Sequence, residues 1–322
     1  MIEVYKKWPE IAKNSFESCN KISEIKNIEH IIFAGMGGSG AIGDVFEAIL
    51  SKTDIHVSVI KGYLLPKTVN EKTLIIITSV SGNTVETLKV LEKSQESKAR
   101  VLTFASGGKC EEFCMKNGLE FFNIKKIHSP RASFVSFLFS MLKILQLTIP
   151  LKIKDVDEAI NELKKLKSMI SSDNLTHTNL ALKLAENITK IPVIYYPHGL
   201  EAATIRFKNS LQENAKMHVI TEDVVEASHN GIVAWEKLSN AIPILIQGKD
   251  DYEKTKERWS ILKEYFNSKN IQFDEVFVKS NSILSKIVYL IYFLDFVSIY
   301  TAILTNSDPT PVESIDYIKK RL

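Results

Sequence analysis

The sequence predicts an α/β protein built from two doubly wound parallel-sheet domains. Three observations carry that prediction. Short apolar runs alternate with helical patterns through both halves of the chain, and such alternation builds a parallel sheet covered by helices. The runs are rich in Ile, Val, Leu and Phe, as strands buried on both faces require. A chain of 322 residues also has the length for two domains of ordinary size.

Taken in order, strands are expected at HIIFAG (30–35), IHVSVI (55–60), TLIIITS (73–79), RVLTFAS (100–106) and LEFFNI (119–124). Helical spacing falls at Ala41–Leu50 and Val85–Glu96; in the second, Val85, Leu88 and Leu91 share a face. A strongly apolar helix from about Ala132 to Leu147 closes the first half. Pro150 stops it, and an amphipathic helix starts over residues 156–170, which sets the expected domains at 1–151 and 152–322. Strands resume at PVIYYP (192–197), AIPILIQG (241–248) and IQFDEVFV (271–278). The halves share a plan but not a sequence, so they are not read as repeats.

Composition narrows the function classes. Hydrophobic residues at 45% and charged residues at 25% fit a folded globular chain. The 41 basic and 38 acidic residues are mixed along the chain and leave a net charge of only +3, so no nucleic-acid partner is expected. The cysteines are Cys19, Cys110 and Cys114, and no secretory segment follows Met1; the expectation is a reducing cytoplasm. Cys110 and Cys114 lie one helical turn apart in CEEFC, but no further ligands have suitable spacing, so no metal is expected. The stretch Ile287–Leu304 is apolar enough for a membrane helix. Asp295, Ser298 and Thr301 interrupt it, and a charge at mid-depth is costly. It reads as a buried core or subunit-interface helix.

GMGGSG (35–40) satisfies G-x-G-x-x-G at Gly35, Gly37 and Gly40. A dinucleotide site also needs an acidic residue at the end of the second strand for the ribose hydroxyls. That strand ends in Lys61 and Gly62, and Asp54 lies before it, so no dinucleotide cofactor is expected. What remains is a tight turn and a helix from near Ser39, whose N–H groups and dipole can seat an anion. The competing reading is a sharp turn that merely permits close helix–sheet packing. TLIIITSVSGNTVETL (73–88) repeats the layout with Ser79, Ser81, Gly82, Asn83 and Thr84. Three hydroxyls ahead of a helix can donate to phosphate oxygens, at the sheet edge where open α/β folds bind ligands. N-capping by Ser81 or Thr84 would use only one of them.

This pair of motifs resembles the SIS (sugar isomerase) phosphosugar-binding domains, which implies two SIS-type, flavodoxin-like sandwiches. The resemblance makes Ser39, Ser79, Ser81 and Thr84 the phosphate contacts, with Gly37 and Gly38 lining the sugar side. Residues 201–236 are dense in further candidates. Glu213 in SLQENAK sits near the end of an amphipathic helix, and His229 follows sixteen residues later in the turn ASHNG. From the residues alone, Glu213 reads first as a solvated helix residue and His229 as a turn residue bonded to backbone, with a catalytic role the lesser reading for each.

The whole chain is similar to the bifunctional phosphoglucose/phosphomannose isomerases, through GMGGSG, SVSGNT, SPRAS, QENAK, SHNG and the terminal DPTPVESIDYIKKRL in order. The resemblance implies a cofactor-independent isomerase that interconverts glucose 6-phosphate and mannose 6-phosphate with fructose 6-phosphate through a cis-enediol(ate). It implies Glu213 as the base between C1 and C2, and Arg131 as the cation that stabilises the enediolate. It further implies that His229 opens the ring from the neighbouring subunit of a homodimer, and that Lys319, or the adjacent Lys320, assists at the ring oxygen. A threonine-bearing C-terminal segment, with Thr310 the nearest match, is implied to permit both epimers. A carboxylate suits the role of base when partial burial raises its pKa. The alternatives are a non-catalytic phosphosugar sensor, though no basic N-terminal helix-turn-helix is present, and an aminosugar synthase domain, though the amidotransferase half is absent. His198 in PHGLE follows a strand and is a second candidate for the cleft. His30, His56, His128, His177 and His218 show no constellation, and Tyr195, Tyr196 and Phe207 read as core.

Overall fold

The structure is a computed structural model that describes residues 1–19 and 21–321. The first sheet holds β1 (His30–Ala34), β2 (His56–Ile60), β3 (Thr73–Ser79), β4 (Arg100–Ala105) and β5 (Glu120–Asn123). All its pairings are parallel, in the order β2-β1-β3-β4-β5. The second holds β6 (Ile191–Tyr196), β7 (Ile220–Asp223), β8 (Ala241–Gly248) and β9 (Asp274–Val278), again all parallel, in the order β7-β6-β8-β9. The fold class expected from sequence is the one observed. Two compact units result: Glu3–Lys154 with the last residues from Lys319, and Asp155–Ile318.

Double winding is visible in the side chains of the central strands. Every residue of β1 and β3 is buried. Ile32 and Ala34 pack with Val90, Leu91, Cys110 and Cys114 from the helices Val85–Ser94 and Lys109–Asn117. Phe33, pointing the other way, stacks on Phe46 of the helix Gly38–Leu50 at 4.8 Å. Both faces are therefore covered, which is why these strands read as unbroken apolar runs. In the second unit Tyr195 and Leu245 meet Trp235, Trp259 and Phe266.

Four details differ from expectation. β7 has the sequence ITED; a short edge strand with three polar side chains carries no apolar run to detect. β9 begins at Asp274 rather than at Ile271. The apolar helix of the first half spans Phe134–Ile144, shorter at both ends than the stretch from Ala132 to Leu147, and Arg131 lies in the turn before it. The fourth helical stretch begins earlier, at Ile153.

The helix Ile283–Leu304 is long and apolar enough to cross a membrane by length and composition, yet 83% of its most apolar window is buried inside the protein. It is the core helix of the second unit, packed against the helices Leu180–Asn187 and Glu201–Ser210. Asp295, the charge that breaks the apolar run, is fully buried and paired with Arg206 at 2.6 Å.

Candidate functional site

The strand order of the first sheet reverses between β1 and β3. That switch point is where open α/β sheets hold ligands, outside the carboxyl ends of the strands. Both motifs singled out in the sequence lie there: GMGGSG follows β1, and SVSGNT follows β3.

The glycine turn divides its labour. A Cβ on Gly35 would lie 2.9 Å from the Thr78 carbonyl oxygen, and one on Gly40 would lie 2.8 Å from the Gly35 oxygen. These two serve the close packing of turn and helix. Gly37 differs: its φ is +53°, and a Cβ there would meet nothing within 4 Å. Gly37 therefore faces open space, ahead of a helix that no side chain caps. The end of β2, where a dinucleotide site would place its acid, holds Lys61, which pairs with Asp44 at 2.7 Å and lays its stem against Gly40.

The serine loop is joined to the glycine turn. Ser39, buried at the helix start, accepts a hydrogen bond from the Val80 N–H at 3.2 Å. Among the described residues its own O–H meets no acceptor, which leaves it available to donate. Ser79 Oγ accepts from the Gly82 N–H at 3.1 Å, and Ser79 and Ser81 each place their hydroxyl 3.4 Å from that of Thr84. Thr84 is the N-cap of the helix Val85–Ser94, but its side chain makes no capping bond. Among the described residues, no acceptor meets the N–H groups of Val85, Glu86 and Thr87. The outcome is three convergent hydroxyls over an uncapped helix N-terminus, an arrangement suited to a dianion.

Neighbouring loops hold this cradle. A Cβ on Gly82 would lie 1.7 Å from the Gly107 oxygen, and Gly82 takes a φ of +69°; only glycine fits. Asn83 donates to the Ser81 carbonyl at 3.1 Å and accepts from the Lys109 N–H at 3.0 Å. Cys110 donates its N–H to the Gly82 oxygen at 2.9 Å, while burial pushes its thiol up to about 12. Cys110 and Cys114 are thus packing residues. Among the described residues no three His, Cys, Asp or Glu side chains gather as metal ligands would.

Arg131 is buried beside the glycine turn. The Cβ position of Gly38 lies 3.5 Å from the Pro130 oxygen and 3.8 Å from the Arg131 Cα. The SPRAS turn is fixed from within, since Ser133 Oγ donates to Ser129 O and accepts from the Ile127 N–H. The first unit therefore brings together Gly37, Gly38, Ser39, Ser79, Ser81, Thr84 and Arg131.

In the second unit the helix Glu201–Ser210 widens into a π turn over Leu211–Ala215, a deviation common at functional positions. Glu213 lies on this turn, half-buried, and Lys216 ends it in the left-handed region with φ of +58°. Lys216 Nζ donates to the Glu213 carbonyl at 2.6 Å and to the Pro311 carbonyl at 2.9 Å. That second bond ties the Glu213 turn to the segment carrying Thr310, which is exposed and donates its N–H to Asp308.

His229 sits in the turn after the short helix Val224–Ala227, exposed, with its N–H on the Glu226 carbonyl at 2.9 Å. Lys319 is the exposed last residue of the helix Glu313–Lys319, which has no buried residue, and Lys320 is exposed beyond it. His198 is also exposed, 3.9 Å from Glu201. Each of these four is presented on the surface rather than drawn into its unit's core.

Two groupings escaped the sequence reading. Glu222 is the penultimate residue of β7 and lies against Gly231 of SHNG, whose Cβ position would lie 2.2 Å from Glu222 Oε2. That oxygen is buried with no partner among the described residues, and burial raises the carboxyl above its ordinary range. Its signal, a carboxylate at a strand end, was hidden because the strand itself was not apparent. His30 and His56, which showed no constellation in sequence, stand side by side with ring centroids 4.7 Å apart. Ser58 Oγ lies between them, 2.9 Å from His30 Nε2 and 3.4 Å from His56 Nε2. They face each other at the opposite edge of the sheet from the cradle, where β1 and β2 begin in register.

Comparison with known proteins adds relatives to this geometry. Residues 24–109 match the SIS domain model, and residues 177–322 match the bacterial phospho-glucose isomerase C-terminal SIS domain. A bifunctional phosphoglucose/phosphomannose isomerase from Caldicellulosiruptor bescii is 30% identical over 100% of this chain and 98% of its own. A protein of the same description from Aquifex aeolicus is 29% identical, covering 100% of this chain and 99% of its own. Among solved structures, the C-terminal domain of glucosamine-fructose-6-phosphate aminotransferase from Francisella tularensis superposes with a TM-score of 0.71 at 17% identity, covering 96% of both chains.

Proposed function

The chain belongs to the bifunctional phosphoglucose/phosphomannose isomerase family, and from that premise we propose that it interconverts glucose 6-phosphate and mannose 6-phosphate with fructose 6-phosphate. The observation that carries the substrate class is the cradle after β3. Ser79, Ser81 and Thr84 direct three hydroxyls at one place over a helix N-terminus that no side chain caps. A structural turn needs one capping oxygen; a phosphate uses all three with the first-turn N–H groups.

Chemistry is assigned to Glu213 as base. On the open-chain aldose, its carboxylate takes the C2 proton and the electron pair forms the C1=C2 double bond, leaving charge on O1. Transfer of the O2 proton and delivery of a proton to C1 give the ketose. The buried cation of Arg131 offsets the oxyanion charge, an effect strongest where water is excluded. The enediolate is planar at C2, so one intermediate serves both epimers, and the Thr310 segment linked to Lys216 would govern that tolerance. We assign ring opening to His229, acting across a homodimer, with Lys319 at the ring oxygen; the exposure of both is consistent with service to a group outside their own unit's core. Three unbridged cysteines support a reducing, cytoplasmic setting.

The test is formation of fructose 6-phosphate from each aldose separately, with EDTA present. Turnover of both is expected. Absence of turnover with fructose 6-phosphate still bound would favour a phosphosugar sensor instead. The dimeric assignment has its own test, in which inactive Glu213→Gln is mixed with His229→Ala under subunit exchange. A site that borrows His229 from its partner regains activity in the mixed dimer, because one of its two sites is intact. No recovery would place His229 in the same subunit or outside the reaction.

A further inference from the structure

We infer that the π turn at Leu211–Ala215 is a positioning device for Glu213, held by a buried polar network on the helix Ile283–Leu304; the inference rests on the proposed role of Glu213. In an uninterrupted α-helix, at about 100° per residue, position 213 follows Arg206 by seven residues and shares its face. Arg206 and Ser210, one turn apart, both face the long helix: Arg206 Nη2 lies 2.6 Å from Asp295 Oδ2, and Ser210 Oγ donates to Asp295 Oδ1 at 2.7 Å. Regular geometry would bury Glu213 in that same contact.

A π turn admits one extra residue, so position 214 takes the place that 213 would have had. The structure displays this substitution. Asn214 is fully buried and donates from Nδ2 to Ser298 Oγ at 2.8 Å, one turn along from Asp295. Ser298 in turn donates to the Asp295 carbonyl at 2.7 Å. Glu213 is rotated out of the contact and left half-buried. Asn214 Oδ1 has no partner among the described residues, a cost in a buried site that an apolar packing residue would avoid. The charge and amide between these helices therefore set an angle, and the side chain whose angle they set is Glu213.

The test compares Asn214→Ala and the paired change Arg206→Met/Asp295→Leu with wild type and Glu213→Gln, in steady-state isomerisation and in thermal unfolding. Replacing a buried ion pair by apolar residues of similar size is often neutral for stability, so the paired variant should unfold near the wild-type temperature. Both variants should lose kcat by about 10- to 100-fold, the penalty for a slightly misplaced catalytic group. KM should hold, because phosphate contacts are untouched. A paired variant that folds and keeps wild-type kcat, while Glu213→Gln is inactive, would overturn the inference. Full activity of Glu213→Gln would instead overturn the proposed role of Glu213, and the inference with it.

Discussion

The two candidate regions are built from opposite materials. The cradle in the first unit is made of backbone and short hydroxyls after two buried strands, with glycines at Gly37 and Gly82 where a Cβ would be strained or would collide. The region around Glu213 in the second unit is made of side chains reaching between helices, with Arg206, Ser210 and Asn214 bound to Asp295 and Ser298. A rigid cradle suits a ligand group that stays fixed. A side-chain network around a π turn suits a group whose direction must be set against a reacting carbon.

This contrast can be broken by substitution, and the largest effect should come from the second region. Asp295→Ala leaves the Arg206 guanidinium buried without its carboxylate, a loss of about 3–5 kcal/mol in comparable pairs. Chemical denaturation should show that loss as a lower midpoint with an unchanged slope. Stability near wild type would mean that the pair does not hold the helices together.

Next comes Gly82→Ala. Its positive φ alone costs about 1–2 kcal/mol, and the methyl would also strike the Gly107 carbonyl, 1.7 Å from its ideal position. Melting temperature should fall, and KM for the sugar phosphate should rise as the cradle shifts. Gly37→Ala sharpens the point, because its φ is also positive but its Cβ meets no atom. It should cost only the conformational strain, and any rise in KM would then report a ligand in that open space. Equal losses of stability in the two variants would remove the distinction drawn between these glycines.

The smallest effect lies at the far edge of the first sheet. Burial, with His56 beside it, holds the pKa of His30 below its ordinary value. The folded state thus binds this proton less readily than the unfolded chain, whose His titrates near 6.5. Its contribution is fully present above that pH and is lost as pH falls from there toward the folded pKa. Melting temperature should decline over that window, and His30→Gln should flatten the decline. A flat profile in wild type would show that the pair does not couple to folding.

The same contrast explains what could be seen in the sequence. SVSGNT and GMGGSG declare themselves because strand, turn and helix are contiguous, and the strands around them are unbroken apolar runs. Lys61 at the end of β2 likewise argued against a ribose site, and the structure shows it paired with Asp44. The network around Glu213 joins residues more than eighty positions apart, which no local pattern encodes; Asp295 appeared only as an interruption in an apolar helix. The π turn was invisible because LQENA keeps ordinary helical composition. β7 was missed for a third reason, since an edge strand of ITED has no face to bury as an apolar run.

The most direct measurement is the behaviour of Glu213→Gln, which keeps the shape of the side chain and removes its ability to accept a proton. Fructose 6-phosphate should still bind the variant with affinity close to wild type, while the rate of isomerisation falls by about 10² to 10⁴, the usual contribution of a positioned base. A variant that binds and isomerises at the wild-type rate would contradict the account at its centre.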